Sequence, residues 1–187
     1  KTGPRSAVTI HSVSMTGPMC TDGTPLGQDP RRHARVPYET GRLIAMSRFR
    51  QDKRAPALRL LDAYWTDLRA QAGGDVPTRS ALDPRGLETV LDRIFILERI
   101  APGFARIRLS GMRLNLLTGM EVRGLPFSAL FTPAARQTLA PLVTRLFSDP
   151  ARIEMTIEAE TGPGRPGFAG QVLLLPLRDN RGLISRA

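Results

Sequence analysis

Apolar residues recur at spacings of three and four over residues 55–72, where Leu58, Leu61, Trp65, Leu68 and Ala72 form one stripe. Leu60 and Tyr64 widen it, Arg59, Asp62, Asp67 and Arg69 take the other side, and Gly73-Gly74 ends the pattern. This spacing predicts a helix. Asp83-Pro84 supplies an N-cap with proline at the first helical position, predicting a short helix over 84–92 that turns Leu87, Val90 and Leu91 inward. The period then changes. Residues 94–100 read as a strand with Ile94, Ile96 and Glu98 on one side and Phe95, Leu97 and Arg99 on the other. Residues 104–110 alternate more cleanly, Ala105, Ile107 and Leu109 against Arg106, Arg108 and Ser110. The Ala101-Pro102-Gly103 link makes the two an antiparallel hairpin.

Residues 112–118 predict a turn or two of helix closed by Gly119, and residues 126–131 another short helix. Thr132-Pro133 begins a longer helix, 133–148, with Leu139, Leu142, Val143, Leu146 and Phe147 on its stripe. The end of the chain is strand again. Ile153, Met155, Ile157 and Ala159 alternate with polar partners, residues 168–177 follow a Gly/Pro loop, and Pro176 marks an edge, bulge or strand end. Asn180-Arg181-Gly182 predicts a turn, after which residues 183–187 open a further strand. The order of elements describes an α+β fold, an antiparallel sheet with flanking helices.

Length and charge add an organisation to this pattern. The 187 residues suit one domain with the remainder in tails. Ten of the 27 basic residues but only four of the 17 acidic ones fall within residues 1–54, so the formal charge of +10 is concentrated there. Residues 1–53 are rich in Gly, Pro, Ser, Thr and Arg without sustained periodicity, and read as a disordered basic N-terminal extension before a domain over 54–187. Such an arm could touch nucleic acid or an anionic surface, or simply solubilise the chain. Only Lys1 and Lys53 are lysines, so the arginine excess reflects general usage more than a set of sites. Cys20 stands alone, which rules out an internal disulfide. No run approaches the roughly 20 apolar residues of a membrane-spanning helix, and no leader pattern is visible. The cytoplasm is the expected compartment.

The residues then resemble a known family. Leu61-xx-Tyr64-Trp65-xx-Leu68-Arg69, Pro77-x-Arg79-xxx-Asp83-Pro84-Arg85-Gly86 and Leu97-Glu98-Arg99 are similar to the small PAS-like proteins common in alphaproteobacteria. So are Phe104-xx-Ile107-Arg108-Leu109-Ser110-Gly111, Gly119-Met120-Glu121-Val122-Arg123-Gly124, Phe131-xx-Ala134-x-Arg136 and Leu174-Leu175-Pro176-Leu177-Arg178-Asp179. The resemblance covers about residues 55–187. It implies a PAS-like antiparallel sheet and a sensory or regulatory role exercised through protein contacts, sometimes with a small ligand. It also implies that the last strand continues past Ala187, so that the domain is truncated at its C-terminal strand.

The chemistry available is sparse. His11, His33 and Cys20 all lie in the extension, so the domain offers no histidine or cysteine for haem, for a flavin adduct or for structural zinc. Ser110, Ser128 and Ser148 have no histidine beside which to act as nucleophiles, and no phosphate-binding glycine motif is present. A non-enzymatic module without a defined cofactor is expected, with room for an unidentified small molecule. Candidate polar contacts to it are Glu98, Arg108, Arg113 and Asn115; candidate apolar walls are Ile96, Leu109, Met112, Leu116 and Phe127. An ordinary packed core is the competing reading of the same residues. Leu61, Tyr64, Trp65 and Leu68 are a candidate interface for a homodimer or a separate regulatory protein, against packing on their own domain. A nucleic-acid adaptor using the basic arm is the alternative function, weakened by having only Tyr38 and Phe49 to stack on bases in its most basic part.

Overall fold

Proline at the first turn and an apolar stripe make helix α1, Pro56–Gln71, in the computed structural model, which describes residues 8–16, 54–159 and 168–187. The next two turns are 3₁₀ helix, Arg79–Ala81 and Pro84–Arg93. Asp83 caps the second as its sequence predicts, its carboxylate accepting the Arg85 amide at 3.0 Å. The hairpin follows, β2 (Phe95–Ala101) and β3 (Phe104–Ser110). Helix α2, Met112–Thr118, stops at Gly119, whose φ of 68° is left-handed. A 3₁₀ turn at Phe127–Leu130 leads into α3, Pro133–Ser148, where the Thr132 hydroxyl accepts the Ala135 amide at 3.3 Å. Strands β4 (Arg152–Ala159), β5 (Ala169–Leu174), β6 (Leu177–Arg178) and β7 (Ile184–Arg186) follow.

One expectation is corrected here. Within the stretch read as a disordered extension, Val8–Thr16 forms a strand, β1, paired antiparallel with β4 from Val8↔Ala159 to Thr16↔Arg152. Only Val8 is buried and Ile10 and Thr9 half-buried, so the strand is held mainly by its backbone ladder, which composition does not record. The rest of the 1–53 stretch, with His33 and Cys20, lies outside the described residues.

Among the described residues the strands pair antiparallel and give two sheets, β1-β4-β5 and β3-β2-β7-β6. The chain passes directly from β5 to β6 across Leu175-Pro176, so the two sheets share one line of polypeptide. Each side of this layer carries its own core. Leu97, Ile107, Ile153, Met155 and Leu174 pack with Leu139, Val143 and Leu146 of α3 on one side. Leu173, Leu175 and Leu177 pack with Trp65, and beside it Leu58 and Leu61, of α1 on the other. Alternation along β5 thus feeds both cores.

Candidate functional site

Strands β2 and β5 face each other without pairing, and the space between them is a cavity of about 520 Å³. Its walls come from both sides of the sheet: Leu58, Leu61 and Trp65 beneath α1, and Leu114, Ile157 and Phe168 from the α2 and α3 side. Phe95 and Ile96 form one long edge and Gln171 to Leu174 the other, while Ala187 lies at the end. The cavity is therefore a slot through the layer. Its lining is mostly apolar, with Tyr64, Arg93, Arg113 and Gln171 carrying polar groups. The Gln171 side chain is already engaged, its Oε1 accepting the Ala55 amide at 2.9 Å at the start of α1.

A second arrangement lies on the α1 side of the sheet, centred on Glu98. Its Oε2 receives Arg106 Nη2 at 2.6 Å and Nε at 3.0 Å, with Arg108 Nε at 3.5 Å. Arg186 Nη2 reaches Oε1 at 2.8 Å. Three guanidinium groups around one carboxylate leave two surplus positive charges. The hydrogen-bonded Arg106 holds the Glu98 carboxyl below the ordinary glutamate value of 4.5; burial acts the other way, and Arg186 and Arg108 add to the lowering.

The nine candidate ligand residues do not meet in one pocket. Ile96 and Arg113 line the slot. Phe127 is buried in the core beside it, stacked on Phe95 at 5.5 Å between centroids and edge-on to Phe131 at 5.1 Å. Glu98 and Arg108 belong to the ionic cluster. Asn115 braces a loop, its Oδ1 accepting the Val122 amide at 3.2 Å and its Nδ2 donating to Glu121 at 3.3 Å. Leu109, Met112 and Leu116 are 48 %, 70 % and 72 % exposed, contrary to their expected place in an apolar wall. For Leu109 the cause is a register shift. Ile96 pairs with Leu109 but Leu97 with Ile107, so a bulge at Arg108 moves Leu109 to the face of Glu98 and Ile96. For the helix, Leu114 and Leu117 rather than Met112 and Leu116 face the slot.

The candidate interface is similarly relocated. Trp65 and Leu68 are buried within their own domain, and Leu61 packs against the same cluster. The Tyr64 hydroxyl donates to the Asp83 carbonyl at 3.1 Å and accepts the Asp83 amide at 2.8 Å. All four side chains thus have contacts within the domain. Glu121 braces the loop before Gly124 through the backbone, its Oε1 accepting the Arg123 amide at 3.1 Å.

A protein-family model described as a PAS domain matches residues 53–187, the helix, hairpin, slot and ionic cluster together. The chain belongs to the PAS domain family. Comparison with curated proteins and with solved structures finds no match. PAS domains are in general sensory or regulatory modules rather than catalysts. Among the described residues no group of three or more His, Cys, Asp or Glu is placed to hold a metal ion, and no helix is long and apolar enough to cross a membrane. His11, on β1, sits 3.0 Å from Glu158 at the surface.

The sequence missed the residues that matter most to this geometry. Leu173, Leu175 and Gln171 fall in a stretch, residues 168–177, whose pattern predicts a strand and nothing more. Their signal was available in part, since residues 172–175 are an unbroken apolar run that a strand with cores on both sides requires.

Proposed function

We propose that this PAS domain is a non-enzymatic regulatory module that acts by contact with a second protein through the β2–β3 face. The observation that carries the reading is the composition of that face. Phe104 and Leu109 are exposed beside Arg106, Arg108 and Arg186, with Glu98 as their shared counter-ion. Exposed apolar groups set among arginines suit an interface core with a charged rim. The surplus of guanidinium groups selects a partner with an acidic surface over a second copy, in which arginines would meet arginines.

The test places a photo-crosslinking amino acid at Leu109 in the full chain in its native cell. The expected result is one discrete adduct of higher mass, lost when Arg106 and Arg108 are both changed to Glu while the fold persists by circular dichroism. An adduct only with the chain's own second copy would replace the partner reading with a homodimer. A small molecule retained in native mass spectrometry and released on denaturation, without a protein adduct, would make the module a ligand sensor.

A further inference from the structure

The Glu98 cluster contains one arginine whose donors the cluster does not use. Arg106 spends one edge of its guanidinium on Glu98 Oε2, through Nε at 3.0 Å and Nη2 at 2.6 Å. Arg186 gives Nη2 to Oε1 at 2.8 Å and Nη1 to the carbonyl and hydroxyl oxygens of Ser185 at 3.1 and 3.3 Å. Arg108 differs. Its Nε stands 3.5 Å from Oε2, beyond the ordinary hydrogen-bond distance, and among the described residues no hydrogen bond engages its guanidinium. Its five N–H donors are therefore open, on a side chain that is 57 % exposed. Arg106 and Arg108 close on the same carboxylate oxygen, so one small anion can touch both. The bulge in β3 adds Leu109 to this face beside Arg108, and Phe104 lies two residues before Arg106 on the same face; both are exposed.

We propose that Arg106 and Arg108 form a binding site for a phosphomonoester carried on a polypeptide partner. The proposal rests on the contact reading above and names what the acidic partner brings to this face. Charge selects the group. Three guanidinium groups against one carboxylate leave two positive charges, and a phosphomonoester carries about −1.5 to −2 at pH 7, whereas one carboxylate would offset only half of the surplus. Geometry agrees. A phosphate presents three terminal oxygens, enough for the open fork of Arg108 and the unused edge of Arg106 together. Phe104 and Leu109, one on each side of the arginines, give apolar contact to the residues flanking a phosphorylated side chain, which free phosphate lacks. The partner is read through its side chains rather than zipped on as a strand. At the open edge of β3 the Ile107 amide already donates to the Leu125 carbonyl at 2.9 Å, and the Ile107 carbonyl accepts the Gly124 amide at 2.7 Å. A lipid surface is disfavoured by the hairpin tip. A Cβ at Gly103 would lie 3.3 Å from the Ala140 carbonyl oxygen, so the tip is packed against α3 and not free to enter a bilayer.

The test titrates the full chain against dye-labelled Val-Leu-X-Leu-Val peptides with phosphoserine, aspartate or serine at the centre, read by fluorescence anisotropy. The phosphoserine peptide is expected to bind roughly tenfold or more tightly than the aspartate peptide. Arg108→Gln should remove about tenfold of that affinity, and Arg108→Lys, which keeps the charge but loses the fork, about threefold. Arg145→Gln, at the surface pair with Asp149, should leave it unchanged. Changing both Phe104 and Leu109 to Ala should reduce the peptide to the affinity of inorganic phosphate, read by competition. Circular dichroism checks that each variant folds. Equal affinity for the phosphoserine and aspartate peptides would overturn the phosphate assignment while leaving an acidic partner in place; that partner fails separately, if Leu109 crosslinks to no protein. Inorganic phosphate competing as tightly as the peptide binds would overturn the polypeptide source. So would phosphatidic-acid vesicles that bind more tightly than the peptide, which would assign the face to a lipid headgroup.

Discussion

Trp65 donates its indole N–H to the carbonyl of Pro176 across 3.0 Å in a buried site. The bond joins the middle of α1 to the break between β5 and β6. Proline has no N–H to offer a neighbouring strand, so the ladder lapses there, and its carbonyl is satisfied by a side chain instead. The indole body meanwhile fills the cluster of Leu173, Leu175 and Leu177. Trp65→Phe keeps an aromatic ring but leaves the Pro176 oxygen without this donor. A loss of about 1–3 kcal/mol is expected from an unsatisfied buried acceptor. Trp65→Ala adds a cavity and is expected to cost about 3–5 kcal/mol. Urea unfolding of both variants measures the two contributions separately.

Glu98 ties three strands through its arginines, Arg106 and Arg108 on β3 and Arg186 on β7. Its side chain is only 15 % exposed, so solvent screens the cluster incompletely. Because the folded carboxyl titrates below its ordinary 4.5, its contribution is fully present above that pH. It is lost as pH falls through 4.5 towards the lower folded value. Glu98→Gln is expected to reduce stability by about 1–3 kcal/mol at pH 7, the scale of hydrogen bonds to a charged group. The difference from the parent chain should shrink progressively below pH 4.5. A series of urea midpoints from pH 7 to pH 3 checks both statements; a constant difference across the series would remove Glu98 as the titrating group.

Local signals carried most of this fold. The caps at Asp83 and Thr132, the glycine stop at Gly119 and the α3 stripe all depend on residues within one helix, and each stands where its pattern places it. The turn at Asn180-Arg181-Gly182 is equally local, closed by the Gly182 amide on the Asp179 carbonyl at 3.0 Å. What escaped was non-local. Strand β1 pairs with a strand far along the chain and has few buried side chains to mark it. The bulge at Arg108 interrupts an alternation that reads evenly in one dimension, and so misplaces Leu109. The slot depends on β2 and β5, brought opposite each other only by the arrangement of the whole sheet. An apolar residue at the right period can face a core, a slot or solvent, and Leu114, Leu117 and Leu116 show that one short helix can do all three.

Asp75 and Arg178 give the contrasting surface pair. Arg178 Nη2 lies 2.7 and 2.9 Å from the two carboxylate oxygens, and this hydrogen bond, with that of the Val76 amide, lowers the Asp75 titration below 3.8. The Asp75 side chain is nevertheless 61 % exposed. Water and salt screen such a pair, so Asp75→Asn is expected to cost less than about 1 kcal/mol. Added salt should narrow the difference between variant and parent further. Thermal unfolding at low and at high ionic strength provides the measurement. A loss as large as that of Glu98→Gln would mean that the link from α1's following loop to β6 bears far more of the fold than its exposure indicates.

Among the described glycines, Gly111 makes the closest approach to backbone. A Cβ at this position would lie 2.5 Å from the carbonyl carbon and oxygen of Asp92 and from the carbonyl oxygen of Leu91. These are backbone atoms at the end of the Pro84–Arg93 turn, and the Gly111 amide also donates to the Ile94 carbonyl at 2.7 Å. Neither side can move without shifting β2 or α2. Gly111→Ala is therefore expected to destabilise by about 1–3 kcal/mol or more through overpacking against rigid atoms. Gly170 offers the control. There the nearest atom to an added Cβ is a side-chain carbon of Ile157 at 3.6 Å, an ordinary contact. Gly170→Ala is expected to be neutral or to gain up to about 1 kcal/mol, since alanine loses less backbone entropy on entering a strand. Comparing the two by thermal unfolding isolates steric approach from the general effect of replacing glycine. Equal destabilisation at both positions would remove the close approach at Gly111 as its cause.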